Sequence, residues 1–165
     1  MELLIPVVLD SVMKLVIVQN DEILIIWKNL VFPSKQIRKS ALDLTIKSID
    51  SFYSQGHLDF GGSEFRSAIL EKVTPIIEDD PKYAWWSLPP GQYLLTYNEI
   101  LNNVNYYALI FPHTRLFQTG STHPAFYWTP SAEGQKITTI VQVGEKGLRL
   151  KENSRISTAI TYKSP

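Results

Sequence analysis

The 165-residue chain has no cysteine. This excludes disulfides, thiolate zinc sites and cysteine nucleophiles together, and it fits a reducing interior better than a secreted small domain, so a cytoplasmic location is expected. An excess of either charge is missing too: 16 Lys and Arg balance 16 Asp and Glu, and the pI is near 6.8. No global field draws the molecule onto nucleic acid or an anionic membrane, which leaves a neutral partner or a locally charged pocket. Long uncharged apolar runs are also absent. The N-terminal stretch MELLIPVVLDSVMKLVIVQNDEILIIWKNLVF is broken by Glu2, Pro6, Asp10 and Lys14, well short of the roughly 18 uncharged residues of a spanning helix, and no basic segment precedes it. Neither nucleic acid nor membrane is an expected partner. No two histidines stand at metal-ligand spacing, and His57 and His123, in loops rich in Gly or Pro, are expected to face solvent.

What the chain does have is 44% hydrophobic residues, which over 165 residues is enough for one domain with a real core, while the length is too short for two comfortable ones. Val12 to Val18 and Ile23 to Trp27 are β-branched runs around Gln19-Asn20-Asp21-Glu22, which predicts a hairpin inside an N-terminal extension. Further strands are expected at Ala41 to Ile49, Gln92 to Tyr97, Val104 to Phe111, Ile137 to Val143, Gly147 to Lys151 and Arg155 to Tyr162. Turn chemistry separates them, as in Pro89-Pro90-Gly91, Val143-Gly144 and Glu152-Asn153-Ser154. Many short strands and no long amphipathic helix point to an all-β sandwich or barrel. Ser63 to Lys72 reads equally as helix or strand, Trp85 and Trp86 as core or subunit interface, and Asp79-Asp80-Pro81 as a loop tip. There is no repeat, low-complexity tract or linker.

Phe111 to Gln135, FPHTRLFQTGSTHPAFYWTPSAEGQ, has the outline of a phosphate-handling site: a strand end, a basic and hydroxyl-rich turn, a glycine, and a second turn closed by another glycine. It carries no carboxylate before Glu133. It lies within an ordered series of segments: QIRKSALDLTIKSIDSF (Gln36 to Phe52), LPPGQYLLTYNEIL (Leu88 to Leu101), FPHTRLFQTG (Phe111 to Gly120), AFYWTPSAEG (Ala125 to Gly134) and GLRLKENSRISTAI (Gly147 to Ile160). In that series the chain resembles the trimeric dUTPase and dCTP deaminase superfamily, most closely its archaeal-type members, over roughly Gln36 to Ile160. The resemblance implies an all-β distorted jelly-roll of the dUTPase-like (beta-clip) type, forming one domain over 1–165 with 1–35 as an extension. It further implies a homotrimer with pockets at subunit boundaries and a deoxynucleoside triphosphate, dUTP or dCTP, as ligand. Magnesium is implied too, held mainly by the triphosphate, because phosphates can supply most of its oxygen ligands.

Carried over residue by residue, the resemblance places the first-motif aspartate at Asp43 in SALDL. On a strand, Leu42 and Leu44 point to the opposite face, so Asp43 either faces a pocket or stands on a solvated surface. The family's Pro-Arg-Ser-Ser-Leu becomes Pro112-His113-Thr114-Arg115-Leu116, followed by Gly120. Thr114 and Arg115 keep a hydroxyl and a guanidinium, and the planar guanidinium fork suits phosphate. In the third motif, Asp-Ala-Gly-Tyr in type, Thr129 stands where the family has its water-activating aspartate and Ala132 where it has the ring that packs on deoxyribose. A threonine hydroxyl cannot take a proton from water at neutral pH, and loss of a positioned general base typically costs about 10²- to 10⁴-fold. Glu133 and Asp43 are the candidate replacement bases, and Tyr127 and Trp128 the candidate rings. In the fourth motif Arg155 and Ile156 are kept and the family's nucleotide-binding glutamine is Thr158. The glycine-rich C-terminal arm of many family enzymes is not expected, since only TYKSP follows Ile160.

Deamination is the least supported activity. A zinc deaminase needs ligands in an H-x-E and P-C-x-x-C arrangement, which a chain with no cysteine cannot supply. The superfamily's zinc-free deaminases use a glutamate after the third motif, where Gly134 to Gly144 holds no acid and Gln142 is the nearest polar candidate. Three functions stay open: a dUTPase-like nucleotide-binding protein with lost or much reduced hydrolysis, an active dUTP diphosphatase with a rewired site, and a structural or regulatory trimeric interaction protein.

Overall fold

A computed structural model describes residues 16–78 and 81–164. Val12 to Leu15 of the expected hairpin, and Asp79 and Asp80 of the expected loop tip, lie outside the described residues. The elements in order are β1 (Val16–Ile17), α1 (Asn20–Ile26), β2 (Trp27–Lys28), α2 (Pro33–Gln36), β3 (Ile37–Arg38) and β4 (Ala41–Phe52). Then come β5 (Leu70–Lys72), β6 (Ile76–Ile77), β7 (Ala84–Leu88), β8 (Gly91–Tyr97), β9 (Ile100–Leu101), β10 (Tyr106–Pro112) and α3 (Thr114–Gln118). The last are β11 (Phe126–Trp128), β12 (Thr138–Val143), β13 (Leu148–Lys151) and β14 (Arg155–Lys163).

The main sheet runs β11-β10-β14-β4-β8-β12, with β1 added beside β14 and β3 and β5 beside β4; β13-β7-β6 and β2-β9 form two smaller sheets. The expected all-β class holds, and each of the six strands expected downstream of residue 40 is present. Alternation sets the core face. On β8, Tyr93, Leu95 and Tyr97 are buried, on β10 Tyr106, Ala108 and Ile110, and on β12 Thr139, Val141 and Val143, while their neighbours are more exposed. Trp86 is buried and Trp85 half-buried. Ser63 to Lys72 is extended only at Leu70–Lys72, along the edge of β4. Among the described residues, no helix is long and apolar enough to cross a membrane.

The expected hairpin does not form. Val16 and Ile17 pair with Lys163 and Tyr162 of β14, and the second run is the helix α1. A short apolar run does not distinguish strand from helix by its own periodicity. Here the i, i+3 pair Ile23 and Ile26 buries against the core, Leu24 and Ile25 face outward, and Asp21 and Glu22 sit in the first turn, where the helix dipole favours acids. Trp27, fully buried, donates its indole N–H to Thr161 Oγ1 at 3.0 Å and ties this segment to β14.

Central β4 departs from simple alternation: Leu42 to Ile46 are all buried. Leu42, Leu44 and Ile46 enter the core, and the opposite face carries Asp43 and Thr45. Thr45 belongs to a buried polar knot. Glu99 accepts from Thr45 N at 2.8 Å, Thr45 Oγ1 at 2.5 Å and Gln36 Nε2 at 2.7 Å, while Asn98 donates to Thr45 Oγ1 at 3.0 Å and Ile46 O at 2.9 Å. Burial pushes the Glu99 carboxyl above its ordinary value, outweighing the donors from Thr45 and Gln36 that hold it down. Glu99→Gln places an amide nitrogen against one of these donors in either orientation. Urea unfolding should therefore show a loss of about 1–3 kcal/mol. A raised folded pKa contributes stability that is complete below the unfolded value and is lost as pH rises through the folded one, so the advantage of wild type over Glu99→Gln should shrink as pH rises from below about 4.5. A difference constant with pH would show that Glu99 is not perturbed.

Candidate functional site around Asp43

The β3–β4 hairpin turns through Lys39 and Ser40, with Lys39 at φ 46°, and sets Arg38 opposite Ala41. Ala41 and Asp43 share a strand face, so Arg38 is the diagonal cross-strand neighbour of Asp43. From the other side β14 pairs with β4, with Thr158 directly opposite Asp43 and an irregularity in the ladder between Arg155 and Ser157. Beyond β14, β10 delivers its end to the same place: Phe111 pairs with Thr158, and His113 follows as the N-cap of α3.

The result is a cage around one carboxylate. Asp43 has no exposed surface. Its Oδ1 accepts from Arg38 Nη2 at 2.5 Å and Thr158 Oγ1 at 3.1 Å; its Oδ2 accepts from Arg155 Nη1 at 3.1 Å and faces His113 Nε2 at 3.6 Å. Arg155 Nη1 also reaches the carbonyl of Lys35 at 3.3 Å. His113 Nδ1 accepts from Arg115 N at 3.1 Å, which places the imidazole proton on Nε2, toward Asp43. Burial lowers the His113 pKa; Asp43 opposes that shift, and Arg38, Arg155 and Arg115 reinforce it.

Of the two readings of Asp43, the solvated strand face is corrected, because the side chain has no exposed surface. Its two oxygens hold two guanidiniums and a hydroxyl, which makes it an anchor of cations. The structure joins Asp43, His113, Arg155 and Thr158 directly. Thr114 and Arg115 are exposed on α3, and no partner contacts the Arg115 guanidinium among the described residues. A cavity of about 390 Å³ lies beside them, lined by Arg115, Thr119 and the β13–β14 hairpin out to Arg155. Gly120 is exposed at φ 75° after α3, and its carbonyl would lie 2.4 Å from a Cβ on Gly144, so this close backbone approach needs a glycine at 144.

The third-motif loop stands apart. Gly134 N donates to Asn102 Oδ1 at 2.9 Å and Ser131 N to Gln135 Oε1 at 2.8 Å, which fixes the loop's own shape. Thr129, Ala132 and Glu133 are exposed, and none is joined to the Asp43 cage by a hydrogen bond or ion pair among the described residues. Tyr127 is exposed and stacks obliquely on Tyr107, with centroids 5.1 Å apart; Trp128 is half-buried. Gln142 is exposed and bonds to Gln92 across β8–β12.

Sequence reasoning missed two features. Arg38 was not singled out, although the two-residue hairpin before SALDL is the signal that places it. His123, expected in solvent, is buried: it stands against β14, with Nε2 2.8 Å from Ser157 Oγ, Nδ1 2.8 Å from Pro124 O, and Tyr97 Oη 2.6 Å from the same Ser157 hydroxyl. The polar chain Tyr97–Ser157–His123 is satisfied inside the core. Burial pushes the Tyr97 phenol up and the His123 imidazole down.

Two outcomes follow. Asp43→Asn removes the charge that holds Arg38 and Arg155, which are 53% and 30% exposed, so water offsets part of the loss. Urea unfolding should show about 1–3 kcal/mol of destabilisation, the scale of a hydrogen bond to a charged group. His113 and His123 both have lowered folded pKa values, so this contribution to stability is complete above about pH 6.5 and is lost as pH falls through their folded values. Stability should fall between about pH 7 and pH 5, and less steeply in His123→Gln. An equal slope in both proteins would mean that His123 is not held neutral.

No protein-family model matches the chain. It is 32% identical over 137 residues to a protein of Methanosarcina acetivorans named probable deoxyuridine 5'-triphosphate nucleotidohydrolase, covering 82% of this chain and 77% of that protein. The protein of the same name from Methanosarcina mazei is 30% identical over 136 residues, with the same coverage, and that from Archaeoglobus fulgidus is 27% identical over 122 residues, covering 73% and 68%. Among solved structures, the fold is similar to a 2'-deoxycytidine 5'-triphosphate deaminase from Agrobacterium tumefaciens, with a TM-score of 0.62 and 12% identity over 91% of this chain. The chain spans 49% of that structure's length. With the motif order and the β-sheet architecture, these relatives place the chain in the dUTPase and dCTP deaminase superfamily.

Proposed function

We propose that the chain binds a deoxynucleoside triphosphate, with dUTP as the leading candidate, beside the Asp43 cage, and that it hydrolyses the nucleotide far more slowly than an ordinary dUTP diphosphatase. The observation that carries this reading is convergence: segments far apart in sequence meet at one buried carboxylate and leave guanidiniums facing outward next to a cavity. Arg115 and Arg155 neutralise phosphate charge, Thr114 offers a hydroxyl, and Thr158 and His113 hold Asp43 in place. Gly120 lets the chain leave α3. The similarity to proteins named as deoxyuridine triphosphate nucleotidohydrolases supports the choice of nucleotide.

Magnesium enters with the triphosphate. Among the described residues no group of His, Cys, Asp and Glu could hold a metal ion, and the oxygens of Asp43 are taken by Arg38, Arg155 and Thr158. This supports a cation carried mainly by phosphate oxygens. Slow hydrolysis follows from Thr129, which supplies no base, and from an Asp43 engaged on both oxygens. The exposed large apolar residues, including Phe111, Phe117, Tyr127 and Ile140, support a homotrimer in which they are covered and the third-motif loop of one subunit meets the cage of another. A cysteine-free chain of this kind suits the cytoplasm.

One specific observation favours a second reading, an active dUTP diphosphatase with Glu133 as its base: the relatives are named as nucleotidohydrolases. Thermal shift and pyrophosphate release separate the readings. Mg–dUTP at about 100 times its Kd should stabilise the fold by about 2.7 kcal/mol, and Arg115→Ala should abolish this. Pyrophosphate release should be slow and should rise in Thr129→Asp toward the roughly 10²- to 10⁴-fold effect of a general base. Wild-type turnover of about 1 per second or faster, abolished by Glu133→Gln, would establish the second reading instead. No shift with any nucleotide would point to an interaction protein. Light scattering should give a trimer mass; a monomer would remove any shared site.

A further inference from the structure

Arg38 is doing more than burying Asp43 requires. Arg155 alone balances the charge of that carboxylate, and Thr158 supplies a further donor. Arg38 brings a second positive charge to the same side chain, and Arg115 a third to the neighbourhood, since Arg38, Arg155 and Arg115 all act on the His113 imidazole. With His113 uncharged, two guanidiniums bond one carboxylate and a third lies near, so the cluster carries surplus positive charge where the strand ends meet.

The geometry of Arg38 leaves part of that surplus open to solvent. The side chain engages Asp43 end-on, through Nη2 alone, and the same nitrogen lies 3.5 Å from Thr158 Oγ1. Its Nη1 and Nε have no partner among the described residues, and the side chain is 53% exposed although its anchor has no exposure at all. A guanidinium held at one corner keeps its plane and offers the remaining N–H groups of a rigid fork to whatever lies outside. The backbone adds to the fixing. Arg38 leads a two-residue turn in which Lys39 sits at φ 46°, so its Cα is set by the β3–β4 ladder and not by a loose loop.

We infer that Arg38 is a ligand-reading residue of the proposed site, positioned by Asp43 so that its free N–H groups take two oxygens of the bound nucleotide's phosphate chain. This rests on the nucleotide-binding reading above. The bland alternative, that Arg38 only shields Asp43, predicts that its removal changes stability and not affinity.

The test is calorimetric titration of the full chain with two probes, magnesium tripolyphosphate and the magnesium complex of non-hydrolysable α,β-imido-dUTP. The proteins are wild type, Arg38→Gln, Arg38→Lys and, as a control outside the cage, Arg66→Ala. Glutamine removes the charge and the fork and leaves Arg155 and Thr158 on Asp43, and the melting temperature of the variant is recorded beside its affinity. Expected are a loss of about tenfold or more for both probes in Arg38→Gln, partial recovery in Arg38→Lys, a shallower salt dependence in Arg38→Gln, and no change in Arg66→Ala. Affinities unchanged in Arg38→Gln would overturn the inference, whatever the melting temperature does. Binding of tripolyphosphate that depends on Arg38, without binding of the nucleotide analogue, would keep Arg38 as a reader of phosphate oxygens but overturn both its nucleotide ligand and the nucleotide reading. Nucleotide binding that ignores Arg38 would do the reverse, and no binding of either probe would overturn both.

Discussion

A carboxylate with no exposed surface at position 43 constrains everything near it. Removing an ion from water costs several kcal/mol unless opposite charge and hydrogen bonds replace the solvent. Asp43 sits mid-sheet on β4, so those partners can come only from the adjoining strand β14, from the β3 hairpin and from the end of β10. Arg155 and Thr158, Arg38, and His113 are what these elements supply. The outward direction of the two guanidiniums follows, because each arginine reaches the carboxylate with one nitrogen and keeps the rest of its head nearer to water.

The same strand face carries a second polar knot one step along, where Thr45 binds Glu99 and Asn98, and Gln36 of α2 closes it. The two knots differ in kind. Asp43 is held by two cations that stay partly exposed; Glu99 is bonded only by neutral donors among the described residues and pins the N-terminal segment to the sheet. The chain Tyr97–Ser157–His123 is a third satisfied polar group, on the core side of β14. Of these three networks only the Asp43 one has charged partners that reach solvent, Arg38 and Arg155, and the other two are centred on buried groups of the fold.

Much of this was legible in the sequence, for identifiable reasons. Strands with strict alternation, such as Gln92 to Tyr97, were readable because one face is buried and one is not. Ile23 to Trp27 was not, because a short apolar run fits either period and only its packing against the core, with Trp27 bonded to Thr161, chose the helix. The candidate site was readable where a motif keeps its residue type, as at Asp43 and Arg155. It was not readable at Arg38, whose place depends on a two-residue turn, or at His123, whose loop looks polar in sequence but folds against β14. Thr129, Ala132 and Glu133 were readable as residues but not as a place, since their loop bonds to itself and to Asn102, away from the cage.

On the proposed reading, holding phosphate and activating water are separated: the first falls to groups on β3, β14 and α3, and the second to an exposed loop whose Thr129 stands where the family resemblance puts an aspartate. The most direct test of this separation is a crystal structure of the protein with magnesium and α,β-imido-dUTP. The expected result is a phosphate chain within hydrogen-bond reach of Arg155 and Arg115, with the Asp43 oxygens still held by Arg38 and Arg155 and no carboxylate placed to activate water at the α-phosphate. A nucleotide bound away from the cage, or Asp43 or Glu133 in contact with a water in line with the α-phosphate, would contradict it.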